Sequence, residues 1–101
     1  MPAMFNKDRE ALIDILRRIR ELLQGSQGSD WSPLTPKEVE KNILCSLNKL
    51  ENGKKLWPSD KLELSVEFEV TSTLQEIAMA NDWHHEFLKL ANDFDRLIKR
   101  V

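Results

Sequence analysis

Between residues 62 and 70 the chain alternates without a break. Leu62, Leu64, Val66, Phe68 and Val70 are apolar, and Glu63, Ser65, Glu67 and Glu69 between them are polar. Successive side chains of a strand point to opposite faces, so period two over nine residues predicts a strand with one face buried and one wet. A strand cannot satisfy its own backbone N–H and C=O groups, so this reading demands a pairing partner elsewhere. After the turn-like Thr71-Ser72-Thr73, the run Leu74-Gln75-Glu76-Ile77-Ala78-Met79-Ala80 has two readings. As a returning strand it puts Gln75, Ile77 and Met79 on one face; as a short helix it gathers Leu74, Ile77 and Ala78. The demand for a partner favours the antiparallel hairpin, with the helix left open.

The remaining patterns are helical. Over residues 6–24, Leu12, Ile15, Leu16, Ile19, Leu22 and Leu23 recur at helix spacing behind a capping Asn6, and Gly25 follows the last of them. Asp14 with Arg18 and Arg17 with Glu21 are four apart, where exposed pairs contribute roughly 0.2–0.5 kcal/mol each. The strongest local signal is Thr35-Pro36-Lys37-Glu38, a capping box with proline at the first helical position. It starts a second helix at Pro36 with Val39, Ile43, Leu44, Leu47 and Leu50 as its stripe and Asn52-Gly53 as its stop. Residues 25–30 and 54–60 read as connectors. Asn81-Asp82 precedes a last helix with Trp83, Phe87, Leu90, Ala91, Phe94, Leu97, Ile98 and Val101 at helical spacing.

The expected fold is therefore α+β, in the order α-α-β-β-α, with two N-terminal helices and a C-terminal helix packed on one face of a small antiparallel hairpin. At 101 residues the chain is expected to be a single domain. A two-stranded sheet needs such helical cover, and its open edges would let a second copy continue it across a two-fold axis.

Composition narrows the function. With 41% hydrophobic and 32% charged residues the chain is no disordered tail, and a formal charge of −2 argues against a general nucleic-acid binder. One cysteine, Cys45, leaves no intrachain disulfide. No apolar run reaches 18 residues, and residues 1–8 meet charge at once, so neither a membrane span nor a secretory signal is expected. The expected compartment is the cytoplasm.

No cofactor, metal or catalytic residue is expected. His84-His85-Glu86 is the only histidine cluster, but adjacent helical residues project about 100° apart, whereas chelating pairs on helices use spacings of three or four. Cys45 falls beside the apolar stripe of its helix, as a half-buried inert thiol would. Three glycines offer no phosphate-cradling loop. The expectation is a non-catalytic protein-binding domain.

Its candidate partner-binding residues are the acidic row Glu63, Glu67 and Glu69, extended by Asp60, together with the connector tryptophans Trp31 and Trp57. A row of carboxylates steers a basic partner surface, and aromatics in loops are enriched at interfaces. An inhibitor or immunity-like protein masking a basic surface would look like this. Thr73-Leu74-Gln75-Glu76-Ile77-Ala78 with the turn at Asn81-Asp82 also resembles the first helix and turn of helix-turn-helix DNA-binding modules. That resemblance implies a regulator using residues 73–100 and requires a helix at 74–80. Against it, the second helix would open Trp83-His84-His85-Glu86 and carry Asp93 and Asp95, where a groove-reading helix needs Arg, Lys, Asn or Gln.

Overall fold

A computed structural model describes residues 3–27, 35–68 and 73–100, with the side chains at 3–6, 67 and 73 outside that description. Five helices follow one another: α1 Ala3–Gln24, α2 Pro36–Glu51, α3 Pro58–Glu67, α4 Thr73–Ala80 and α5 His84–Ile98. No strand occurs among the described residues, and this overturns the α+β expectation.

The first correction falls on residues 62–70. Most of that segment is α3, and the physical reason lies in what the two periods share. Residues four apart lie on one face of a helix and also on one face of a strand. In α3, Asp60, Leu64 and the following Phe68 turn inward and are buried, at 8%, 1% and 5% exposure. Leu62 and Val66, which a strand would have placed beside them, stand on the opposite side at 67% and 50%. Pro58 occupies the first turn, and the Asp60 carboxylate accepts the Trp57 N–H at 2.9 Å, which caps the start. Val70 lies outside the described residues.

The second correction is at residues 74–80. There the helical alternative holds: Leu74, Ile77 and Ala78 are fully buried together and Met79 faces out. With both strands gone, the second copy extending a sheet edge has nothing to pair with among the described residues.

The other helices follow their patterns. α1 begins three residues earlier than expected, so Asn6 lies inside it; Leu12, Ile15, Leu16, Ile19 and Leu23 form its buried stripe. Its arginines do not close the i,i+4 pairs expected of them. Arg17 bonds Glu51 on α2 at 2.6 Å, Arg20 bonds Glu40 on α2 at 2.9 Å, and Arg18 grips Glu86 on α5. They staple α1 to its two neighbours.

α2 has the full capping box, with Thr35 Oγ1 accepting from the Glu38 N–H and the Glu38 carboxylate accepting from the Thr35 N–H. It ends in a Schellman motif at Gly53, whose φ of +74° suits a residue without a Cβ. The Lys54 N–H returns to the Lys49 carbonyl and the Gly53 N–H to that of Leu50. Arg9 adds its guanidinium to the carbonyls of Lys49, Leu50 and Lys54.

Buried side chains from all five helices and their caps meet in one cluster. Within it Phe68 stacks on Phe94, with ring centroids 4.1 Å apart and 7° between planes. Trp83 is buried, as its spacing from Phe87 predicts.

Candidate functional site

α3 is held by its inner side, which leaves its outer side free. The anchor is Asp60, whose Oδ2 accepts both the Trp57 N–H and the Lys49 ammonium from α2, the latter at 2.8 Å. The Lys49 hydrogen bond, then that from Trp57, holds this carboxyl below the usual carboxylate range, and the same contact raises Lys49. Asp60 is thereby withdrawn from the acidic row that the sequence suggested. It serves as cap and inter-helix strut.

Glu63 is exposed and makes no hydrogen bond or salt bridge among the described residues. Glu67 closes the α3 backbone, while Glu69 and Trp31 lie outside the described residues. Trp57, at the N-cap of α3, is 68% exposed. Trp57 and Glu63 are thus both exposed on α3, one at its N-cap and the other in its second turn, and Trp57 is not among the residues that line the groove beside Glu63.

Beside Glu63 stand two residues that the alternating pattern assigns to the core, Leu62 and Val66. They are one helical turn apart on the solvent face and line a shallow groove of about 390 Å³ with Asn42, Glu63 and Leu64. A signal for this existed. Trp57-Pro58-Ser59-Asp60 repeats the proline-then-acid spacing of Thr35-Pro36-Lys37-Glu38 and marks a helix start.

Other surfaces offer less. A depression of about 360 Å³ lined by Arg17, Arg20, Glu21, Gln24 and Glu51 has its two cations already bonded to carboxylates. His84 is half-buried and His85 exposed, with rings 6.1 Å apart, and Glu86 is engaged by Arg18, which lowers its pKa. No group of three metal-ligating side chains occurs among the described residues. Cys45 is exposed on α2 rather than half-buried.

The segment that resembles a helix-turn-helix does form α4, a three-residue turn and α5, with Asp82 in the turn at a φ of 63°. α5 carries three carboxylates, Glu86, Asp93 and Asp95, against the two permanent cations Lys89 and Arg96. No described helix is long and apolar enough to cross a membrane. The chain matches no protein-family model, no curated protein and no solved structure.

Proposed function

We propose that the chain is a non-catalytic protein-binding domain that docks a partner protein on the outer face of α3. The observation that carries this is the exposure of Leu62 and Val66, stacked on one helical face, with Trp57 at the same helix's start. Single exposed apolar residues are ordinary, but a rimmed group of them marks an interaction site. Magnitudes decide whether that pair suffices. Full burial of a Leu or Val side chain contributes about 1.5–3 kcal/mol, and both are already half or one-third covered, so the pair adds roughly 2–3 kcal/mol. Association costs at least about 4 kcal/mol. The pair alone is therefore insufficient, and further residues have to take part in the contact.

Glu63 beside the stripe suits a partner with a cationic edge. A small inhibitor or immunity-like protein covering a basic surface would dock through a face of this kind. In the full chain expressed in its native cells, a benzophenone side chain at Val66 should cross-link one protein well above the level given by the same group at the exposed Glu10. Equal or absent adducts at the two positions would sink the reading.

A second reading, a DNA-binding regulator using residues 73–100, gains from the presence of α4 at the required place. The excess of carboxylates on α5 works against it, because phosphate contacts need cations that release counterions. Fluorescence anisotropy with a labelled duplex at low salt separates the two. Binding that weakens steeply with salt would favour the regulator; no binding is the expected result.

A further inference from the structure

We propose that the groove between α2 and α3 is a socket for one arginine or lysine side chain of the docked partner, a cationic head on an apolar stem. The inference rests on the docking role of α3 and specifies what enters there. Leu62 and Val66 give the groove its exposed aliphatic side chains, while the Leu64 side chain is turned into the core, and the two polar residues of the groove are the neutral Asn42 and the acidic Glu63. Lys41 and Lys61 adjoin these residues in sequence, but neither lines the groove. The charge of the lining is therefore negative.

The carboxylate has no hydrogen-bond partner among the described residues. Its charge is felt by Lys49, but that ammonium is already bonded to Asp60. Three classes of occupant can be compared. An anion would face Glu63 directly. A wholly apolar group would cover the carboxylate and strip its water without replacing the lost hydrogen bonds. A cation on an aliphatic stem satisfies both features, laying its methylenes on the lining and its head on Glu63. A guanidinium would also reach outward as a planar fork, whereas an ammonium acts as a point charge.

Because Glu63 is exposed, its share of the affinity is limited to about fivefold. The stem supplies the remainder, so the isolated side chain binds weakly and the preference for positive charge is small.

The test is an amide-resolved NMR titration of the full chain with n-butylguanidinium and n-butylammonium, using n-butanol and butyrate as neutral and anionic controls. Both cations should shift the Asn42, Leu62, Glu63, Leu64 and Val66 amides and bind more tightly than the alcohol, with butyrate weakest. Glu63→Gln should bring the cations down to the level of n-butanol, a loss of up to about fivefold. Leu62→Ser should weaken cations and alcohol alike. The proposal is overturned if the cations bind no better than the alcohol, or if Glu63→Gln leaves their preference unchanged. Cross-links from Val66 alongside that result would leave the docking surface standing and remove only the socket; loss of the cross-links removes both.

Discussion

Asp60 carries two duties on one carboxylate: it caps α3 and, by bonding Lys49, ties α3 to α2. Asp60→Asn keeps an acceptor for the Trp57 N–H and loses the charge, so it should cost about 1–2 kcal/mol; Asp60→Ala loses both and should cost about 2–3 kcal/mol. The pH dependence has a definite sign. The folded pKa lies below the ordinary 3.8, so between the two values the unfolded chain binds more protons. The stabilisation is complete above about 3.8 and fades as the pH falls through the folded value. Glu86, held down by Arg18 from an ordinary 4.5, acts in the same direction over a neighbouring window. Lys49 has the opposite sign: its raised pKa gives stability present below 10.5 and lost as the pH climbs through the folded value. Urea midpoints measured from neutral to acid pH should fall less steeply for Asp60→Asn than for the unaltered chain. Parallel curves would show that this carboxylate is not the one being titrated.

At the scale of elements, α3 offers a contrast that a strand could not produce. Leu62 and Leu64 would share one buried face in a strand. In the helix, Leu64 is buried and Leu62 stands in water. Leu64→Ala should therefore cost about 2–5 kcal/mol, and Leu62→Ala should stay within about 0.5 kcal/mol of zero, read from denaturant midpoints. Equal losses would restore the strand. The same residues explain how much was legible. α1, α2 and α5 have apolar stripes whose three- and four-residue spacings no strand imitates, and the capping box at Thr35 named its own start. In α3 the steps of four, Asp60-Leu64-Phe68 and Leu62-Val66, fit both periods. What separates them is that one apolar pair stays outside, and an exposed pair is a functional feature that binary patterning reads as core. The candidate site was half visible for that reason. Glu63 is legible as exposed from the polar side of the alternation and Trp57 is a candidate only as an aromatic in a polar connector, but Leu62 and Val66 are hidden by the assumption that apolar means buried. The Asp60 cap could have corrected this, since a carboxylate two residues after a leading proline, and three after the N-cap, belongs to a helix start.

Across the whole molecule, the short helix α4 depends on partners distant in sequence. Eight residues are too few for a helix to persist on its own in water. α4 is held by Leu74, Ile77 and Ala78 in the core and by a latch at its C-terminal end. The Asn81 side chain accepts the Gln27 N–H at 2.9 Å and donates to the carbonyls of Gln27 and Ile77, each at 2.9 Å. Next to it the Trp83 Nε1–H donates to Ser26 Oγ at 2.8 Å, and that hydroxyl donates to the Leu22 carbonyl. The end of α1 is thereby fastened to the turn between α4 and α5. Asn81→Asp isolates the latch from mere bulk, because the carboxylate still accepts from Gln27 but turns charge towards two carbonyls that had been receiving hydrogen bonds. Losing those two donations should cost about 1–3 kcal/mol. The loss should also be local, since Arg18 with Glu86 and the Phe68–Phe94 stack join α5 to other parts of the molecule without passing through Asn81. Native-state hydrogen exchange reads this directly, because local and global openings carry different free energies. In Asn81→Asp, amides of α4 should exchange much faster while those in the centre of α1 slow or quicken only with global stability. If α1 and α4 accelerate together by the same factor, the turn is not a separate latch, and α4 opens only when the entire fold does.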